Sequence, residues 1–334
     1  MEVWPAVWTV TSDVSPRSSA VPRLQPREVL GEPILYSLSE KKAVPCDIDE
    51  LKGRTTWATP HGWFLVHHPP PGATTFLWNP NNGDKIQLPP LPAANVSSNC
   101  TCLLSDKPGS SFVVLLLDDT GPVLWYHHCS NNNGWARHEY DVGTQILYPD
   151  DTQQEKLVIT PVAACGGKVY FSTSFDELGV IDFSFSTEEE PVAFSSMAMA
   201  EVVADGYGVA DSARVFMVES EGDVYMVNLL DDGRGISPSP AVYDVTVYRM
   251  DFSRRPWVRV HDLGGRAFLM SSLNFAASRP AESCDMEKDC VYMWYPWEKS
   301  MCIYNVREGT MKMEKLDGAP RTSRAFWMLP TDDL

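Results

Sequence analysis

Residues 55–91 read TTWATPHGWFLVHHPPPGATTFLWNPNNGDKIQLPPL, and four short runs stand out in them: TWATP, GWFLVHH, TTFLWNP and KIQLPPL. Each run is apolar or alternating, each ends at Pro, Gly or Asn, and no helical period intervenes. Four strands within about forty residues make a unit that cannot bury both of its faces alone, so such units stack around an axis as blades. The cadence recurs downstream at a spacing of about fifty residues.

The second copy is NCTCLLS, SFVVLLLDD, PVLWYHHC and GWARHEYD over 99–141. The third is EKLVITPVAAC, GKVYFSTS, LGVIDFS and EPVAFSS over 155–196, with Gly166-Gly167 as the turn between its first two strands. The fourth is EVVADGYGVAD, ARVFMVES, VTVYRMDF and WVRVHDLG over 201–264, with an insertion from Glu221 to Val242 that reads as a loop with its own hairpin, since DVYMVNLL inside it can extend as a strand. The fifth is RAFLMSS, DCVYMWY, MCIYNV and TMKMEKL over 266–316. Val3–Val10, Pro33–Ser39 and Ala43–Ile48 supply three further strands at one end, and Ser323–Pro330 supplies one at the other. Together they complete a ring that the chain's two ends close by pairing, which removes exposed strand edges.

The expectation is therefore an all-β, six-bladed, kelch-like propeller forming one domain over 1–334. Residues 1–54 with 319–334 form the closing blade, and 55–95, 96–150, 151–197, 198–264 and 265–318 form the others. Segment 11–30, rich in Ser, Pro and Arg, reads as a loop.

Composition narrows the function classes. A net charge of −17 repels a phosphate backbone and an anionic membrane, so neither nucleic acid nor membrane is an expected partner. The longest apolar runs, 112–117 and 290–295, are far shorter than the ~20 residues that span a bilayer. The first residues lack a basic then continuously apolar leader, which points to an intracellular protein, cytoplasmic or nuclear, with an organellar address as the alternative that Arg17, Arg23 and Arg27 among Ser and Pro suggest. Eight cysteines scattered through strand-like runs fit reduced, buried thiols.

Specific residues also carry a resemblance. His61-Gly62-Trp63, FLWNPNNGDKIQLPPL (76–91), VFMVESEG (215–222), VYRMDF (247–252), WVRVHDLGGRAFL (257–269) and DCVYMWY (289–295) occur in that order. The chain resembles, over roughly 30–330, the plant "domain of unknown function 295" family, KIB-type β-propellers often attached to an F-box. The resemblance implies a kelch-like propeller that, in F-box members, presents a substrate to a ubiquitin ligase. The first fifty residues depart from that pattern, because prolines at 5, 16, 22, 26, 33 and 45 forbid the helices of an F-box. Direct docking to a ligase adaptor is therefore not expected of these residues.

The chemistry-bearing motifs are sparse. Gly206-Tyr207-Gly208 lacks the third glycine of a dinucleotide fingerprint, and neither a Gly-x-Ser-x-Gly elbow nor a phosphate-binding loop occurs. Cys100 and Cys102 share a strand face, but His127 and Cys129 lie two strands away, about 10 Å off and too far for one zinc. Trp63, Trp135 and Trp257 recur at strand positions where an indole fills the wedge between blades. No cofactor and no catalytic set is expected.

Propeller geometry brings the loops joining second and third strands to one face, and binding resides in such loops. The candidate partner-binding residues there are Tyr295 and Trp297, flanking Pro296; His67 and His68; and Asp231, Asp232 and Arg234. The expected function is a non-enzymatic protein-interaction propeller with an unknown protein partner. The alternatives are a small-ligand or enzymatic propeller using the central channel, and a degenerate family member that has lost both F-box and partner.

Overall fold

A computed structural model describes residues 6–10, 33–38, 41–45, 48–69, 71–92, 96–109, 111–130, 133–147, 152–155, 158–173, 177–183, 192–199, 212–231, 242–271, 274–295, 298–319 and 325–329. Its strands, in chain order, begin with β1 (Ala6–Val10), β2 (Pro33–Ser37) and β3 (Lys42–Pro45). The repeat quoted above becomes β4 (Thr55–Ala58), β5 (Phe64–His68), β6 (Thr74–Trp78) and β7 (Lys85–Leu88). Next come β8 (Cys100–Leu104), β9 (Val113–Asp118), β10 (Val123–His128) and β11 (Ala136–Glu139), then a ribbon of β12 (Thr144–Leu147) and β13 (Thr152–Glu155). The third repeat gives β14 (Val162–Cys165), β15 (Lys168–Ser172), β16 (Glu177–Asp182) and β17 (Ala193–Ala198). The fourth gives β18 (Ser212–Ser220), β19 (Asp223–Asp231), β20 (Val242–Met250) and β21 (Trp257–Arg259). The fifth gives β22 (Arg266–Met270), β23 (Ala276–Pro280), β24 (Cys290–Tyr295), β25 (Ser300–Asn305) and β26 (Thr310–Lys315), and β27 (Ala325–Met328) ends the series.

The fold is an all-β propeller. Counted as units drawn from one continuous stretch there are five blades rather than six: β4–β7, β8–β11, β14–β17, β18–β21 and β22–β26. The remaining four-stranded sheet is composite, in the order β27-β1-β2-β3. Four-stranded antiparallel sheets are shared by many propeller types, so this strand order establishes a propeller without singling out the kelch kind.

Burial explains why the runs look as they do. Inner strands are covered on both faces, as in β8 and β14, where every residue is buried, and so they read as continuous apolar runs. Outer strands such as β11 and β26 hold only partly buried and exposed positions, so they read as weak and polar. The β14–β15 hairpin turns on Gly166 and Gly167, both at positive φ (58° and 77°), the backbone a two-residue turn demands. In the adjoining pair Phe171 faces Gly179, and the ring lies where a Cβ on Gly179 would be, 2.3 Å from its nearest ring carbon.

The composite sheet is wedged between its neighbours. β1 pairs antiparallel with β27, Ala6 opposite Met328 and Thr9 opposite Ala325. Phe326, Trp327, Met328 and Tyr36 join one core with Phe64 and Trp78 on one side and Tyr292 and Trp294 on the other. Trp327 donates its indole N–H to the Met270 carbonyl (3.1 Å), and Tyr36 donates its hydroxyl to the Asp317 carbonyl (3.3 Å).

Three details differ from the sequence reading. The fourth blade takes DVYMVNLL as its second strand β19, so most of the 221–242 insertion is blade and only 232–241 remains between β19 and β20. The fifth blade has an extra strand, β23, from AASRP, a small-residue segment without strand propensity; it pairs antiparallel with β22, which pairs parallel with β24. The boundary drawn at 150/151 falls inside the β12–β13 ribbon. Segment 11–30 and Gly206-Tyr207-Gly208 lie outside the described residues.

Candidate functional site: the channel and its loop face

The innermost strands β4, β8, β14, β18, β23 and β27 surround the axis. The residues they turn toward it, among them Ala58, Leu103, Val162, Ala163, Ala276 and Phe326, are mostly small or apolar. Two cavities along the axis each leave about 10 Å³ for water, room for about one molecule. Among the described residues the axis is packed at both of these cavities.

Each end carries polar groups that the sequence reading passed over. At one end Arg279 is 2% exposed. Its Nη1 donates to the Ser278 carbonyl (2.6 Å) and its Nη2 to the Pro60 carbonyl (2.9 Å), tying β23 to the β4–β5 turn. The Ser278 hydroxyl meets Ser220 Oγ of the neighbouring blade (2.8 Å) and accepts from Arg266 Nε (2.7 Å). His61 and Glu219 line the same cavity. Only a charged residue inside a small-residue run hints at Arg279 in the sequence, and that hint does not say the run is a strand.

At the other end Asp119 accepts from Thr101 Oγ1 (3.0 Å) and from Asn274 Nδ2 (3.4 Å). Asn274 belongs to the β22–β23 connection, so the contact joins the second continuous blade to the fifth. Burial pushes the Asp119 carboxyl up to about 6 and outweighs the opposing hydrogen bonds from Thr101 and Asn274. Asp118-Asp119 reads as an ordinary solvated turn; only the fold reveals that Asp119 turns inward while Asp118 caps Thr120.

The loops between second and third strands share the Asp119 end. Register places His67 at the end of β5 opposite Thr55, Asp118 opposite Cys100, and Asp231 opposite Ser212, each beside the start of an innermost strand. The end of β24 lies there too, because Met293 pairs with Met270 and Met270 with Ala276.

The individual candidates fare differently. His67 is 3% exposed, with Nδ1 3.0 Å from Thr75 Oγ1, and burial lowers its pKa. Tyr295 is 4% exposed, with the Arg214 guanidinium 5.6 Å from its ring centre. Neither is the exposed anchor expected, because both sit on strands covered on both faces. His68 is exposed, with Nδ1 3.0 Å from the Pro69 carbonyl. Asp231 ends β19, while Asp232, Arg234 and Trp297 lie outside the described residues.

The tryptophans act between blades: Trp135 donates to the Pro89 carbonyl (2.9 Å) and Trp57 to the Ser98 carbonyl (3.2 Å), each crossing from one blade to the next. β8 and β10 flank β9, which separates Cys100 and Cys102 from His127. Among the described residues no three His, Cys, Asp or Glu side chains are grouped to hold a metal ion. No helix among them is long and apolar enough to cross a membrane.

Among solved structures, the WD40 domain of SCAP from fission yeast is similar at 9% identity and TM-score 0.33, over 82% of this chain and 58% of that one. The Cps50 (Swd1) β-propeller of Myceliophteria thermophila is similar at 12% and 0.29, over 85% and 90%. An oligogalacturonate lyase in complex with manganese is similar at 10% and 0.33, over 84% and 69%. The chain thus spans 58% of the first of these, and such scores carry no argument about function. No curated protein matches. The KIB1-4 beta-propeller model matches residues 35–305, and the chain belongs to that family.

Proposed function

We propose that this chain is a non-enzymatic protein-interaction propeller that recognises a protein partner through the loops at its Asp119 end. The observation that supports the reading is that, among the described residues, the two cavities along the axis each leave about 10 Å³, too little for a substrate. A scaffold of this kind offers its loops as the variable, solvent-facing surface. Trp297, Asp232 and Arg234, chosen from the sequence between strands, and the exposed His68 are the proposed contact residues; an aromatic next to proline is a good anchor because little freedom is lost on binding. The partner's fate is proposed to be the one the family resemblance implies, presentation to a ubiquitin ligase, with the ligase link supplied by another protein.

A reading as a small-ligand or enzymatic propeller draws on one observation, the Asp119 carboxyl that titrates near neutrality at the channel mouth. The two separate experimentally. Proximity labelling with and without a proteasome inhibitor should return a protein set that accumulates under inhibition and is lost when Trp297→Ala is combined with replacement of 232–241 by a Gly-Ser linker. A set unchanged by both would count against the loop face, and no reproducible set would remove the interaction reading.

A further inference from the structure

We infer that the pocket between the β22–β26 blade and the composite sheet binds a small apolar group carrying a positive charge. The pocket runs along the outer strands of the blade, from the segment 284–287 that follows β23 to Met301, Glu314 and Leu316 on and beside β25 and β26, with Leu38 of the composite sheet as its far wall. Its free volume is about 180 Å³. That compares with the ~150 Å³ apolar cavity known to admit benzene.

The walls fit an aromatic or compact aliphatic group. Leu38, Met286, Met301, Ile303, Leu316 and Tyr292 line it. Met286 and Met301 bring flexible thioethers, which adapt to irregular shapes and make favourable contacts with ring edges. The Tyr292 hydroxyl is held by the Glu287 backbone N–H (2.8 Å), which anchors the rim to the wall.

The rim decides the charge. Asp285, Glu287 and Glu314 surround the opening. Glu314 is paired with Lys41 and, at 3.6 Å, with Lys312, and these lysines hold its carboxyl below the ordinary value, which leaves Asp285 and Glu287 as the two carboxylates they do not offset. Lys288, the nearest other cation in sequence, pairs with Glu282. Asp285 and Glu287 are exposed and form no ion pair among the described residues, so the mouth carries an excess of negative charge. A cationic group tethered to an apolar body therefore gains at both ends, and an anion of the same shape meets two like charges.

The test is calorimetric titration at pH 7 with 2-phenylethylamine, beside 2-phenylethanol, phenylacetate and ethylamine. The amine should bind saturably at one site, the alcohol more weakly, and phenylacetate and ethylamine not at all. Asp285→Asn with Glu287→Gln, both on the surface, should weaken the amine about fivefold. Met286→Trp should fill the pocket and abolish binding while near-UV circular dichroism reports an intact fold. Absence of saturable amine binding, equal binding of phenylacetate, or affinity unchanged by the double substitution would overturn the inference.

Discussion

Replacing Trp327 by Ala strikes the point where the chain's two ends meet. The indole is 1% exposed and sits in the core shared by the composite sheet and both neighbouring blades. Removing so large a buried side chain typically costs about 3–5 kcal/mol, the sum of lost transfer energy and the cavity left behind. The Met270 carbonyl also loses its 3.1 Å donor, adding about 1 kcal/mol if water does not replace it. Against a total stability of roughly 5–15 kcal/mol, that is a large fraction. Trp327→Phe keeps most of the volume and loses the donor, so it should cost about 1–2 kcal/mol. Urea unfolding gives the difference, and native-state hydrogen exchange tells where it is felt. If the ring closes as a unit, amides of β9, in another blade, should exchange faster by the factor the global loss predicts. A loss below about 1 kcal/mol for Trp327→Ala, or faster exchange confined to β27 and β1, would refute the reasoning, since each would mean the composite sheet frays without opening the ring.

Three further outcomes follow from the geometry. Gly179→Ala should destabilise by about 1–3 kcal/mol, because its Cβ would lie 2.3 Å from the Phe171 ring; Phe171→Leu in the same chain should recover part of that in a double-mutant cycle, and full additivity would contradict the contact. Asp119 has its folded pKa raised to about 6 from an ordinary 3.8, so its contribution is fully present below pH ~4 and lost as pH rises through ~6. Two units correspond to about 3 kcal/mol, so urea stability of the wild type minus that of Asp119→Asn should fall by up to that amount between pH 4 and 7, and a flat difference would refute the buried placement. Burial pushes the Cys165 and Cys302 thiols up to about 11 and those of Cys129 and Cys290 up to about 12. At pH 8 the buried Cys165, Cys290 and Cys302 should resist a disulfide reagent until urea is added, with the half-buried Cys129 reacting sooner, and prompt reaction of the buried three would show that they are not enclosed.

The blade pattern was legible because inner strands covered on both faces leave unbroken apolar runs, such as Phe112–Leu117, that turns cut at regular intervals. The partnership of the ends was legible too, since three orphan strands and one orphan strand add to a full sheet. What escaped lacked a local signal. β23 is built from Ala276, Ala277, Ser278, Arg279 and Pro280, residues chosen for a crowded axis rather than for strand propensity. DVYMVNLL is legible as a strand but reads as a hairpin inside an insertion rather than as the blade's second strand, because the preceding segment 201–211 offers an equally strand-like first run. Asp119 differs from Asp118 only in which side of the turn it faces, and that is a property of the whole ring. His67 and Tyr295 stand next to proline-bearing loops in the sequence, but each still belongs to a strand, β5 and β24, and is buried there.

The central claim is that β1 and β27 close the ring in the register Thr9 opposite Ala325, and a cross-link tests it directly. Thr9→Cys with Ala325→Cys should form an intramolecular disulfide under mild oxidation, seen as a faster band on a non-reducing gel. The bond should also raise stability by up to about 5 kcal/mol, as expected for so long a closed loop. Failure to cross-link, or formation of dimers instead while the folded protein is intact, would contradict the closure.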